Sequence, residues 1–451
     1  MGNKRKLESN DARKSAPVEV IVESLESHPL CMHGPTLLFS SSKGRYFSCS
    51  SCRNKKDCSV HITEEDWANE NMKKRNAKYL DLMPKIDKKS SLITLNKVKS
   101  QKPMDRAYCV TCQEFYIPLQ EKKHNKGHTT VFSLTDEQLS SPSSWLPPLK
   151  NDSVEAQYLF SKKSINIILE TLKENKIRNV LCIGTPSIHD ALQKSTGFDS
   201  ILLDIDKRYH QFYQPNKFVW YNMFNNFFYN GNEDEKILNN FIKKSESGLC
   251  IIMDPPFGGR VEPLVHTVQQ LTDKYHILCD KQDTLPVVWA FPYFSEPYIQ
   301  NIMPELLMHD YQVEYENHSK FHSKSSKGRK FGSPVRLFTN LPLESINLSS
   351  DQKYKHCPKC KHWVSVTNQH CTKCKQCTSK NGMTYKHCGM CKKCVKPTFF
   401  HCSKCERCCQ EKDHTCGVVV ISQSCHNCNE KGHKKRECPK LQTKGKKRKH
   451  A

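Results

Sequence analysis

No apolar run in the 451-residue chain reaches the roughly 18 residues that a membrane-spanning helix needs. The amino terminus, MGNKRKLESN, carries charge where a secretory signal would carry an apolar core. Both shortages point to a soluble intracellular protein. Gly2 invites myristoylation, but the basic residues behind it suit a nuclear signal better. Acid is short too: 46 Asp and Glu face 70 Lys and Arg, a net charge of +24. That balance favours a polyanionic partner, and nucleic acid is the usual one.

Cysteine is what the chain does have. Its 25 cysteines are bunched into C-x2-C pairs interleaved with histidine. Without a secretory signal, that pattern means zinc more often than disulfides. Residues 1–28 are polar and read as a disordered basic terminus, and 29–70 and 105–130 hold two groups with metal-ligand spacing. The stretch 70–106 is Lys-rich, and 131–150, with SSPSSWLPPLK, reads as a linker. A Cys/His-dense block spans 354–418, a further Cys/His cluster 423–440, and a basic tail 441–451.

Residues 151–345 alternate strand and helix patterns and contain few cysteines. NVLCIG, SILLDID, KFVWYN, GLCIIMDPPF and PVVWAF read as strands, with helical spacing in EAQYLFSKKSINIILETLKEN, DEKILNNFIKKSE, VEPLVHTVQQLTDKYHIL and SEPYIQNIMPELL. This alternation implies an α/β fold with a mostly parallel sheet. YQVEYEN and VRLFTN, with only a basic loop between them, read as a closing antiparallel hairpin. In open sheets of this kind, ligands bind beyond the carboxyl ends of the strands. Gly184, Asp204, Asn222 and Asp254 each end one strand and would converge on that edge. The lone Gly184 in CIGTPSIHD equally serves an ordinary strand-turn-helix.

Asp254-Pro255-Pro256-Phe257 ends the fourth strand. An exocyclic amine is a poor nucleophile, because its lone pair is delocalised into the ring. It needs acceptors for both N–H groups, so that the lone pair can turn toward a methyl donor. Asp254 and the Pro255 carbonyl can supply them, and the two prolines set that geometry in advance. Phe257 offers a stacking face, while Gly258 and Gly259 leave room for a base.

This tetrad, in this order of elements, resembles the amino-methyltransferases, and the sheet resembles their class I, Rossmann-like, seven-stranded fold. The resemblance implies S-adenosyl-L-methionine as methyl donor. Gly184 and Ser187 would lie against it, Asp204 would hold its ribose diol, and Asn222 and Met223 would flank its adenine. Gln157, Tyr158, Leu159 and Phe160, on the helix before the first strand, would help to cover it. Asp in place of Asn leans toward adenine N6 rather than protein glutamine. Phe291–Phe294 (FPYF) lines either the base pocket or the core, and the loop 318–334 reads as a nucleic-acid contact or a lid.

Cys31, His33, Cys49 and Cys58, with Gly44-Arg45-Tyr46-Phe47, resemble the GRF zinc finger; Cys52 is an alternative to Cys49. Ser59-Val60 replaces that finger's aromatic pair, a gap Trp67 would fill in stacking on single strands. Cys109, Cys112, His124 and His128 have C2H2 spacing, one residue short between the pairs. In the block, His-Cys-x2-Cys-x2-Cys repeats from His370, His387 and His401. One partition gives Cys357, Cys360, His370 and Cys377; Cys371, Cys374, His387 and Cys394; Cys388, Cys391, His401 and Cys408; and Cys402, Cys405, His414 and Cys416. The block resembles the cysteine-rich part of DHHC palmitoyltransferases. Tyr385-Lys386-His387-Cys388 departs from their tetrad, and with no membrane helix palmitoyl transfer is not expected. Cys425, Cys428, His433 and Cys438 match the CCHC knuckle, a reader of unpaired bases, with His426 at its usual aromatic position.

Taken in order, these modules resemble an rRNA adenine N6-methyltransferase family over about 29–440. The resemblance implies methylation of one adenosine in large-subunit (28S) rRNA, several structural zinc ions, and a monomer in the nucleolus and cytoplasm. A DNA or glutamine methyltransferase, or a scaffold that binds RNA without catalysis, remains open at this stage.

Overall fold

The computed structural model describes residues 18–42, 44–52, 56–68, 73–117, 127–149, 157–245, 248–317 and 333–410. His124, His414, Cys416, Cys425, Cys428, His433, Cys438, most of the 318–334 loop and the basic tail lie outside the described residues. The described residues up to Tyr354 form one compact unit, and those from Lys355 to Gln410 form a second. None of the described helices is long and apolar enough to cross a membrane.

The α/β region builds one mixed sheet. Its strands are β1 (Asn179–Ile183), β2 (Asp199–Asp204), β3 (Phe218–Asn222), β4 (Phe227–Phe228), β5 (Leu249–Met253), β6 (Val287–Pro292), β7 (Leu307–His309) and β8 (Val335–Thr339). They lie in the order β4-β3-β2-β1-β5-β6-β8-β7. The five central strands are parallel, and β8 runs antiparallel to both β6 and β7. The short β4 adds an antiparallel edge to the seven strands expected. The helices are α1 (Lys162–Glu174), α2 (Pro186–Lys194), α3 (Asn232–Lys244), α4 (Val261–Cys279) and α5 (Glu296–Ile302).

The central strands are covered on both faces, so they read as unbroken apolar runs rather than alternating ones. Leu181, Ile183, Leu203, Ile251 and Met253 share one core with Leu264, Val268 and Leu271 of α4. Each such side chain contributes about 1.5–3 kcal/mol by leaving water. Strand order reverses at β1, which has β2 on one side and β5 on the other. That switch point opens the crevice in which open sheets bind ligands.

Four expectations need correction. Gln157–Phe160 is not helical. Ser161 caps α1 by accepting from Ser164 N, and the four residues before it run extended. They pair with the segment expected as the penultimate strand: Phe160 bridges Tyr315, Ser161 N donates to Glu314 O, and Glu316 N donates to Leu159 O. The closing hairpin therefore takes Leu307–His309 instead of YQVEYEN. The 131–150 segment is packed structure rather than a linker. Thr130–Phe132 pairs with Ala107–Cys109, a capping box at Thr135 and Gln138 starts the helix Asp136–Ser140, and Leu134, Leu139 and Leu146 are buried. Thr135 caps the helix and Pro142 begins the turn that follows, while the segment's leucines anchor both. Finally, residues 18–28 are ordered: Glu19–Ile21 joins the antiparallel sheet of Leu37–Ser41, Gly44–Ser48 and His61–Thr63, and Leu25 is buried.

Candidate active site and metal centres

One cleft sits over the carboxyl ends of β1, β2, β3 and β5. It is lined by Gln157, Tyr158, Leu159, Gly184, Pro186, Asp204, Asn222, Met223 and Asp254–Phe257, together with Ser51, Leu149, Ile205, Tyr221 and Phe224. Thus every residue expected at the methyl donor lines it except Phe160 and Ser187. Phe160 is buried against Tyr315, with ring centroids 5.2 Å apart. Ser187 lies on the first turn of α2, just behind Pro186.

The Asp254 carboxyl accepts a hydrogen bond of 3.0 Å from the Tyr315 hydroxyl. Burial holds its pKa well above the ordinary carboxylate range, and the Tyr315 bond pulls it part of the way back. Three aromatic rings surround this acid. Tyr158 stacks on Phe257 at 5.5 Å, and Tyr315 meets Phe257 edge-on at 6.0 Å and Tyr158 at 5.8 Å. Tyr315 was not anticipated. It sits in a stretch that reads as an ordinary strand, and its contact with Asp254 spans 61 residues of sequence.

At the β1 turn, Gly184 has φ +63°, and a Cβ there would lie 2.7 Å from Met223 Cε. Only glycine fits. Ser187 Oγ is buried without a hydrogen-bond partner among the described residues. At the end of β2, burial first and the neighbouring Asp206 second raise the Asp204 pKa to about 7. Asp206 is a further residue that the sequence reading missed. It bridges Arg208 at 2.6 Å and accepts from Gln157 Nε2 at 2.8 Å, which ties the extended strip to β2.

Asn222 lines the cleft beside Met223, and its amide turns to the amino-terminal zinc module, donating to His33 O at 2.7 Å and Ser51 Oγ at 2.8 Å. Gly259 also makes room for Phe224: its missing Cβ would lie 2.8 Å from that ring. In the FPYF stretch, Phe291 is core and Phe294 is exposed, and neither lines the cleft.

A left-handed glycine turn and a buried acid at the β2 end, lining one cleft, fit a nucleoside-bearing methyl donor. A family described as probable N6-adenine methyltransferase matches residues 151–340. The chain is 38% identical over 455 residues to the rRNA N(6)-adenosine-methyltransferase ZCCHC4 of Homo sapiens, covering 96% of this chain and 87% of that protein. Against its namesake in Xenopus tropicalis the identity is 37% over 448 residues, covering 96% and 91%. The chain belongs to this methyltransferase family.

The methyltransferase also gathers its cysteines and histidines. Cys31, His33, Cys49 and Cys58 bring one ligand atom each within 4.8 Å of one another. Tetrahedral zinc with Zn–S near 2.3 Å and Zn–N near 2.0 Å implies S···S of about 3.8 Å and S···N of about 3.6 Å. Cys31 Sγ lies 3.9 Å from Cys49 Sγ, and His33 Nδ1 lies 3.5 Å from Cys49 Sγ. Cys52 Sγ is 3.6 Å from His33 Nε2, so a fourth thiol stands by. Trp67 packs edge-on against Phe47 and donates to Ser27 O, so it serves this module's own core.

Cys109, Cys112 and His128 form a three-ligand group, whose expected fourth member is His124. Among the described residues the second unit holds three groups: Cys357, Cys360, His370 and Cys377; Cys371, Cys374, His387 and Cys394; and Cys388, Cys391, His401 and Cys408. Gln113, Lys361, Lys375, Lys392 and Glu406 all have φ between 50° and 60°. Each directly follows the second cysteine of a C-x2-C pair, so one left-handed residue recurs in these five knuckles, Cys402-x2-Cys405 included.

Proposed function

We propose that this protein transfers a methyl group from S-adenosylmethionine to N6 of an adenosine in large-subunit rRNA. The observation that carries this reading is that Asp254-Pro-Pro-Phe lines one cleft together with Gly184 and Asp204. Bound there, S-adenosylmethionine would supply an activated methyl group.

The protein's residues position and hold. Asp204 accepts the ribose hydroxyls. The Asp254 carboxylate and the Pro255 carbonyl accept the two N6 hydrogens and turn the nitrogen lone pair inward. The raised pKa of Asp254 suits its carboxylate to take the proton that the nitrogen sheds on alkylation. Tyr158 already covers one face of Phe257, so a target base takes Tyr158's place or the opposite face. The base reaches the site flipped from its stack. The zinc modules and the basic surface would hold the surrounding RNA, with work in the nucleolus and cytoplasm.

The test is methyl transfer from labelled S-adenosylmethionine to unmodified total rRNA, DNA and peptide in parallel, followed by digestion to nucleosides. Label in N6-methyladenosine from rRNA is expected, and Asp254→Ala should lower it by about 10²–10³-fold while leaving RNA affinity nearly intact. Tight RNA binding with no transferred label would overturn the proposal in favour of a scaffold.

A further inference from the structure

The amino-terminal zinc module does more than neighbour the cleft; it forms part of its wall. Ser51, two residues after the ligand Cys49, lines the cleft beside Asn222. Asn222 donates its amide to Ser51 Oγ and His33 O. Asn225, on the same loop after β3, donates to His33 O at 2.9 Å, Pro35 O at 2.7 Å and Ser50 Oγ at 2.9 Å. Their own amide oxygens accept from Phe224 N and Phe227 N, so the same two side chains shape the loop that carries Met223 and Phe224. Gly34 presses onto this loop with φ +90°, and a Cβ there would lie 2.5 Å from the Phe227 ring.

The carbonyl these asparagines share belongs to His33, a member of the four-ligand group. The flanks of the ligand turn are anchored, by the two-residue match of Leu30–Cys31 with Gly34–Pro35 and by hydrogen bonds from Thr36 N to Pro29 O and from Leu30 N to Asn76 Oδ1, while His33 N itself donates to the thiol of the ligand Cys31. Ser50 and Ser51 likewise sit in the turn between Cys49 and Cys52. A bound metal orders such turns, because ligand geometry replaces the missing backbone ladder.

We infer that the centre at Cys31, His33, Cys49 and Cys58 is a structural part of the methyl-donor pocket, so that zinc and methyl donor bind with positive linkage through Asn222 and Asn225. The two asparagines are positioning residues. The inference rests on reading the cleft as the methyl-donor site. Linkage is reciprocal: whatever factor zinc adds to donor affinity, the donor adds to zinc retention.

The experiment uses the full chain and S-adenosylhomocysteine, which cannot turn over. Its affinity is measured by calorimetry, and zinc loss by metal analysis and by release to a coloured chelator. Cys58→Ser, outside the cleft lining, should lose one zinc and bind S-adenosylhomocysteine about 10-fold more weakly. In the wild type, saturating S-adenosylhomocysteine should slow by a similar factor the zinc-release phase that Cys58→Ser lacks. Asn225→Ala neither lines the cleft nor ligates metal. It should keep its zinc, yet lose most of that protection. A merely structural role would lower its melting temperature and leave the protection intact. Should Cys58→Ser fail to fold, the wild type and Asn225→Ala still decide. Wild-type binding of S-adenosylhomocysteine that leaves every zinc-release phase unchanged overturns the linkage. No binding to the zinc-loaded wild type overturns the reading of the cleft, and the inference with it.

Discussion

Asp254 and Asp204 are buried acids that must both be ionised to act. Asp254 is held above the normal carboxylate range by desolvation, and the Tyr315 hydroxyl favours its charged form. Transfer needs the carboxylate, so the single-turnover rate should rise with pH as Asp254 ionises. Removing the Tyr315 hydroxyl raises this pKa further. Tyr315→Phe should therefore move the acid limb of the pH–rate profile to higher pH while retaining activity at its plateau. An unmoved limb would exclude Tyr315 as the partner that sets Asp254. Asp204, with its pKa raised to about 7, must be charged to accept two ribose hydroxyls well. Affinity for S-adenosylhomocysteine should accordingly fall as pH drops through about 7. Asp204→Asn should flatten that dependence and weaken binding by about 10–100-fold, the worth of a hydrogen bond to a charged acceptor. Calorimetry across pH 6 to 8 reads both.

Elements were legible where they declare themselves locally. β1, β2, β3, β5 and β6 are short apolar runs ending at Gly184, Asp204, Asn222, Asp254 and Pro292, and each was readable from those residues alone. Backbone pairing across long separations was not. Gln157–Phe160 carries helical spacing, but its amides and carbonyls are spent on residues 314–317, and no periodicity records that. The same blindness hid how the zinc modules join the catalytic unit. The Lys-rich 70–106 stretch contains the helix Lys88–Ser100, whose Lys88 is buried, paired with Asp234 of α3 and bonded to Phe218 O at 3.1 Å. A lysine in a lysine-rich run gives no sign that it is the buried one. Removing one partner of a buried pair strands the other charge, at about 3–5 kcal/mol. Lys88→Met should lower stability by that amount in urea denaturation, and adding Asp234→Asn should recover much of it. An unchanged midpoint in Lys88→Met would show that the pair does not join the two elements.

At the scale of the whole molecule, the ligand spacing in the second unit carried more information than the elements did, because the repeat itself enforces an alternation. In the hairpin that pairs His370 with Cys377, these two face the group containing Cys357 and Cys360. Cys371 and Cys374 of the same hairpin belong to the next group. The hairpin that pairs His387 with Cys394 divides its ligands in the same way, His387 and Cys394 going back and Cys388 and Cys391 forward. Each hairpin is therefore a shared wall between two metal sites, and its strands are only two or three residues long. Such hairpins cannot hold their shape by backbone bonds alone, so the sites depend on their neighbours like units in a one-dimensional repeat. Losing one metal should loosen the adjoining sites. Cys374→Ser removes a ligand from the middle group, whose other members lie on two hairpins. Native mass spectrometry under mild chelation should show it losing more than one zinc, with the first and third sites depleted beside the second. Cys360→Ser, at the near end of the array, should disturb one neighbour only. If both variants lose a single zinc with no further depletion, the sites are independent, and the shared hairpins are rigid without their metals.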